Sequence, residues 1–93
     1  MHERVVGMVS VWLGHAIEFD GWYGRITALA VDESVRRQGV GRALVEYTEQ
    51  WLRAQHAVMV TLTSGAHRRE AHKFYESLGY DGNGVRFKKW LTP

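Results

Sequence analysis

A β-branched apolar run, an amphipathic run and a second apolar run follow one another between Arg25 and Thr63, with no linker between them. "RITALAV" (Arg25–Val31) and "AVMVTLT" (Ala57–Thr63) read as largely buried strands. Between them, Val40, Leu44, Tyr47 and Trp51 recur at steps of four, three and four. Arg42, Glu46, Glu49, Gln50 and Arg53 supply a polar face. This spacing predicts a helix over Gly39–Ala54 with the first set turned inward, supported by a Glu49–Arg53 pair at i,i+4. A strand, helix and strand of these lengths make a right-handed crossover, so the two strands should be parallel.

The flanking segments extend the unit. "VVGMVSVWL" (Val5–Leu13) reads as a strand, followed by turn signals at Gly14 and Asp20-Gly21. After the crossover, Ala71, Phe74, Tyr75 and Leu78 fall on one helical face, with Gly79 at the position of a left-handed C-cap. Turn signals at Asp81-Gly82 and Asn83-Gly84 precede a last strand, "VRFKKWL". The expected order is β-β-α-β-α-β, with a short extra strand allowed at Tyr80. It describes an α/β fold with a mixed sheet and a central parallel βαβ unit.

With 93 residues, no repeat and its one proline at the end, the chain reads as one domain, 1–93. Four Trp, four Tyr and 45% hydrophobic residues point to a folded globule. The absence of Cys excludes a disulfide scaffold, a thiolate nucleophile and a thiolate metal site. His67 and His72 are five apart, a poor spacing for a shared metal. No signal peptide or apolar run long enough to span a membrane is evident, so a cytoplasmic protein is expected. Net charge is only +2. Arginines gather at Arg36, Arg37 and Arg42 and again at Arg68 and Arg69, a pattern that suits a small anionic ligand better than a long polyanion.

The turn "SVRRQGVGRALVEY" (Ser34–Tyr47) sits at the carboxyl end of the first crossover strand, where ligands collect in such folds. Gly39 and Gly41 clear a path to the amides of Gln38, Gly39, Val40, Gly41 and Arg42, at the positive end of the helix dipole. The same glycines also fit a simple helix start and close packing on the sheet. A P-loop would need Lys followed by Ser or Thr where Arg42-Ala43 stand, and a dinucleotide fingerprint a third glycine where Leu44 stands.

"ITALAVDESVRRQGVGRALVEYTEQWL" resembles the central motif of the GNAT superfamily of acyl-CoA-dependent N-acetyltransferases, with its core met by Arg36-x-x-Gly39-x-Gly41. "REAHKFYESLGY" (Arg69–Tyr80) is similar to the family's second motif. The wording of "HRREAHKFY" and "VRFKKWL" is nearest to small-amine members such as aminoalkylphosphonate N-acetyltransferases. The resemblance implies acetyl-CoA as cosubstrate, its diphosphate held by Arg36 and the amides from Arg37 to Arg42. Pantetheine would run along Leu29, Ala30 and Val31 like an added strand, where the second and third strands splay apart. A small-molecule primary amine would attack the thioester directly, with a main-chain N–H near Leu29 as oxyanion donor and Tyr75 as acid for the leaving thiolate. Tyr75 also fits the buried helical face.

Two positions depart from the family pattern. Arg68 stands where an Asn often contacts pantetheine, and it could still reach the coenzyme or substrate. Thr27 stands in the strand that often carries a glutamate base, which leaves His67, His72, His15 or Glu18 acting through water. The usual opening strand, two helices and strand have no counterpart before Val5, so the resemblance implies a truncated GNAT fold. The first strand would then be a bare edge, completed by a homodimer or another chain. A coenzyme-A-binding module without activity is the competing reading. A nucleic-acid binder has only the slight basic excess and the aromatics in its favour.

Overall fold

A computed structural model describes residues 7–18, 20–35, 38–63, 69–82 and 86–91. β1 (Gly7–Ala16) and β2 (Gly21–Val31) form an antiparallel hairpin. β1 runs through Gly14, whose lack of a side chain leaves room for the indole of Trp12. The chain reverses only at 17–20, where Asp20 takes φ 48°. α1 (Val40–Ala54) then crosses to β3 (Ala57–Thr63), which pairs in parallel with β2 as expected. α2 (Arg69–Ser77) is followed by β4 (Asp81–Gly82) and β5 (Arg86–Trp90), and the sheet order is β1-β2-β3-β5-β4.

The element order matches the sequence reading, with two local differences, the first being Gly14, a turn signal in the sequence, which lies inside β1. Asp81-Gly82, expected to turn, forms the two-residue strand β4 opposite Phe87 and Lys88, one residue after the short strand allowed at Tyr80. Val5, Val6, Asn83, Gly84 and Val85 lie outside the described residues.

Both helices pack on one face of the sheet. Val45 and Leu52 of α1 meet Ile26, Val60, Leu62 and Phe87, and the five largest fully buried side chains are Phe87, Leu52, Leu62, Val45 and Val60. Gly24 gives Leu52 its place, since a Cβ there would run into the leucine methyls. The inward face of α1 is not the expected one. Val45, Thr48, Glu49 and Leu52 are buried, whereas Tyr47 is 69% and Trp51 40% exposed. The buried set also has i, i+3, i+4, i+7 spacing, and its polar members are satisfied internally. Thr48 Oγ1 donates to the Leu44 carbonyl at 2.8 Å. Glu49 Oε2 accepts from the Tyr80 hydroxyl at 2.9 Å and Oε1 from Lys89 Nζ at 3.0 Å. Arg53 stands 3.9 Å from the same Oε1, as the i,i+4 pairing predicted.

α2 ends as its sequence implied. Gly79 has φ 91°, its N–H bonds to Glu76 O, and Tyr80 N–H bonds back to Tyr75 O, a Schellman closure with the Tyr75 and Tyr80 rings in contact. Lys89 Nζ also donates to the Leu78 carbonyl at 2.8 Å, so one ammonium ties the end of α2 to Glu49 of α1.

The other face of the sheet carries Met8, Trp12, Tyr23, Met59 and Trp90, and neither helix covers it. Trp12, Trp90 and Met8 remain about half exposed. Among the described residues, β1 is the sheet's outer strand, beyond β2.

Candidate functional site

The turn from β2 into α1 is built by Asp32. Its Oδ1 accepts from the Ser34 N–H at 2.9 Å and from the Ser34 hydroxyl at 2.8 Å, and its carbonyl accepts from Val35 N–H at 3.0 Å. The Asx turn lifts the chain off the strand and aims it at the helix start. Gln38 N–H then bonds to the Val35 carbonyl at 3.3 Å.

Gly39 is the N-cap of α1, in the left-handed region at φ 84°, and no side chain caps the helix there. The first intrahelical bond runs from Ala43 N–H to the Gly39 carbonyl. The amides of Val40, Gly41 and Arg42 therefore precede the helical ladder and point out along the axis, at the positive end of the dipole. Among the described residues, nothing lies within 4 Å of where a Cβ on Gly39 would stand. Gly41 does a different job. A Cβ there would stand 3.2 Å from Phe74 Cζ and 3.6 Å from Val31 Cγ2, so this glycine lets α1 pack against α2 and the end of β2. Gln38 and Arg42 are exposed, and Arg42 reaches Glu46 at 3.6 Å. Arg36, Arg37 and Arg68 lie outside the described residues.

The second component is a gap in the sheet. β2 and β3 pair from Trp22↔Ala57 to Ile26↔Leu62, and β2 then continues to Val31 alongside β1 only. Leu29, Ala30 and Val31 thus keep one main-chain edge outside the β3 ladder. The β1–β2 register shifts between Ser10 and Val11, leaving Thr27 as an extra residue in β2, its hydroxyl donating to the Ser10 carbonyl at 3.2 Å. A bulge here re-aims the strand just before Leu29.

Tyr75 stands beside this gap. Its ring is 5.7 Å from Phe87, and Phe87 pairs with Leu62, the last β3 residue in register with β2. It is half-buried and also touches Phe74 and Tyr80. The base candidates disperse. His15 and Glu18 sit at the hairpin end of β2; His15 pairs with Trp22, about 23 Å of strand from Leu29. This distance removes both from the gap. His72 packs against Phe87 with ring centroids 5.4 Å apart, and His67 lies outside the described residues. Among the described residues no cluster of three or more His, Asp or Glu could hold a metal, and no helix is long and apolar enough to cross a membrane.

Sequence reasoning did not single out Asp32, Glu49 or Lys89 as organisers of this region. Asp32 had a signal, since Asp followed two residues later by Ser is an Asx-turn pattern. The partners of Glu49 are far along the chain, at Tyr80 and Lys89, and no local spacing announces them.

Comparison with known proteins agrees with the architecture. The model of the Acetyltransferase (GNAT) family matches residues 1–80. Aminoalkylphosphonate N-acetyltransferase of Salmonella typhimurium is 34% identical over 88 residues, covering 95% of this chain and 57% of that protein. An uncharacterized N-acetyltransferase of Bacillus subtilis is 32% identical, covering 69% of this chain and 46% of its own. The chain thus spans about half the length of these relatives. The structure of a transcriptional regulator from Bacillus halodurans superposes with a TM-score of 0.81 at 26% identity, over 84% of this chain and 53% of that one. The NatC complex bound to Gag peptide and CoA has the same fold over 95% of this chain and 61% of that one, with a TM-score of 0.81 at 21% identity.

Proposed function

The chain belongs to the acetyltransferase (GNAT) family, and from that premise we propose that it transfers the acetyl group of acetyl-CoA to the primary amine of a small molecule. One observation carries this reading: the β2–β3 ladder stops at Ile26↔Leu62 beside an α1 N-terminus where, among the described residues, nothing lies within 4 Å of a Cβ on Gly39. The amides of Val40, Gly41 and Arg42 bind the diphosphate of the coenzyme, with Gln38, Arg36 and Arg37 flanking it. The freed edge of Leu29, Ala30 and Val31 takes the pantetheine arm as an added strand. Arg68, which precedes α2 in the sequence, is assigned to the same ligand or to the acceptor.

When bound, acetyl-CoA supplies the thioester. The N–H near Leu29 steadies the carbonyl oxygen as the amine nitrogen bonds to carbon and the carbon–sulfur bond breaks. Tyr75 gives its phenolic proton to the departing sulfur and regains one from the amine through water. The named Salmonella relative supports a small amine as acceptor, because its own name is that of an aminoalkylphosphonate acetyltransferase.

A second reading, coenzyme binding without turnover, draws on Thr27. It is the one polar side chain in the β2 segment 27–31, and its hydroxyl is engaged with Ser10. Calorimetric titration with acetyl-CoA, followed by a thiol-release assay across a panel of primary amines, separates the two. Binding with release supports transfer. Binding without release for any amine supports the second reading, and no binding removes both. Gly39→Glu should abolish binding, because it places a carboxylate at the mouth of the amide cradle.

For the β1 edge the reading is self-association. Ten residues of strand, Gly7–Ala16, would pair antiparallel with the same edge of a second copy and continue the sheet across a twofold axis. Light scattering that returns a monomer mass would remove it. Reaction in the cytoplasm, where acetyl-CoA is available, completes the proposal.

A further inference from the structure

Among the described residues, α2 is tied to α1 at two places. At the start of α1, Gly41 lets the Phe74 ring close on the helix, with 3.2 Å between Phe74 Cζ and the place a Cβ on Gly41 would take. Further along the same helix, about 12 Å on, Glu49 makes the second tie. Its carboxylate is buried, accepts from the Tyr80 hydroxyl at 2.9 Å and from Lys89 Nζ at 3.0 Å, and has Arg53 at 3.9 Å. Tyr75, next to Phe74 in the chain, lies between the two ties.

What Glu49 holds in turn holds Tyr75. The Tyr75 carbonyl accepts from the N–H groups of Leu78 and Tyr80, both at 3.1 Å. Its ring meets those of Phe74, Phe87 and Tyr80, the last at 6.0 Å between centroids and 66° between planes. Phe74 and Phe87 carry no polar end. Tyr80 carries one, and a buried carboxylate pins it. Lys89 Nζ stands 5.6 Å over the Tyr80 ring and also donates to the Leu78 carbonyl at 2.8 Å. Apolar side chains would fill this space without the cost of desolvating a carboxylate and an ammonium. Directional bonds to a charged group instead fix one distance and one orientation.

We propose that Glu49 is a positioning residue for acetyl transfer: acting through Tyr80 and Lys89, it sets the Tyr75 hydroxyl relative to the coenzyme held at the start of the same helix. This rests on the reading of Tyr75 as the acid for the leaving thiolate. The first amides of α1 take the diphosphate, and its third turn places the tyrosine, so one rigid element spaces the two. A displacement on the order of 1 Å at the reacting atoms costs about 100-fold in rate. An anchor remote from the sulfur can therefore govern turnover without touching either substrate.

The test is a pair of double-mutant cycles on the full chain. Thiol release from acetyl-CoA is measured with 2-aminoethylphosphonate, β-alanine and n-propylamine, and the fastest acceptor is carried forward. Glu49→Gln keeps an acceptor for the Tyr80 hydroxyl and removes the charge. Tyr80→Phe keeps the ring against Tyr75 and removes its tether. Each is made alone and in the Tyr75→Phe background, and circular dichroism with acetyl-CoA titration shows which variants are folded. Each single variant should lower kcat about tenfold, with KM for acetyl-CoA changed by less than about twofold. In the Tyr75→Phe background the same substitutions should change kcat by less than about twofold. Equal losses in both backgrounds overturn the inference and leave Glu49 a structural residue, as does an unchanged kcat in the single variants. If Glu49→Gln does not fold, the Tyr80→Phe cycle decides alone, because there the carboxylate keeps Lys89. A Tyr75→Phe variant of full activity would instead strike the reading of Tyr75, and no release from the unaltered chain with any amine would strike the transfer reading itself; either result removes this inference with it.

Discussion

Tyr80 donates its hydroxyl proton to Oε2 of Glu49 across 2.9 Å, joining the residue that closes α2 to the inner face of α1. Lys89 completes the arrangement by donating to the other carboxylate oxygen and to the Leu78 carbonyl just past the end of α2. These contacts fix how the two helices sit over the sheet, and Tyr75 lies one turn before the closure.

Removing the carboxylate should be costly. Glu49→Ala strands a buried phenol and a largely buried ammonium, so a loss of about 3 kcal/mol is expected. Tyr80→Phe removes one charge-assisted bond and should cost about 2 kcal/mol. Urea denaturation of both variants checks the order. Equal, small effects would mean that water replaces the network.

Alkaline pH should weaken the fold through the same residue. Burial, and then the Glu49 carboxylate, raise the Tyr80 pKa well above its ordinary 10.0. Above pH 10 the unfolded chain releases this proton while the native chain keeps it, so stability falls as pH rises. Urea midpoints between about pH 9 and 11 should fall, and Tyr80→Phe should flatten that slope.

Glycines 24 and 39 should respond differently to the same change. Gly24→Ala drives a methyl into Leu52 and should cost about 1–3 kcal/mol through overpacking. Gly39→Ala meets no atom of the described residues, so its expected cost is that of the left-handed backbone, about 1 kcal/mol. Thermal melts would show the difference.

Tyr75→Phe preserves the ring contacts with Phe74, Tyr80 and Phe87 and removes only the hydroxyl. Turnover should drop by about 10- to 100-fold with acetyl-CoA affinity nearly kept. An unchanged rate would leave Tyr75 as a packing residue.

Much of this architecture was legible because local patterns and long-range structure agree. The bounds of α1 and β3, the parallel pairing of β2 with β3 and the left-handed Gly79 all follow from periodicity, crossover geometry and cap chemistry. The inward face of α1 did not follow. Tyr47 and Trp51 share a stripe with Val40 and Leu44, and hydrophobicity alone turns that stripe to the core. Thr48 and Glu49 look like surface residues until the back-bond to Leu44 and the partners from β5 and the end of α2 are known. At the site, the glycine pair was readable, with a helix start at Gly39 and close packing at Gly41 as one of its readings. What the structure adds is the left-handed φ of Gly39 and the identity of Gly41's neighbours, Phe74 and Val31.

β5 sets two adjacent lysines on opposite sides of one strand. Lys89 anchors Glu49 and the end of α2, while Lys88 looks out over the open face. The two duties are insulated from each other by the pleat. A substitution at an outward position of β5 therefore leaves the anchoring of the helices behind it untouched. A shift of β5 by a single residue would exchange both positions at once, turning Lys88 toward the helices and Lys89 to the open face.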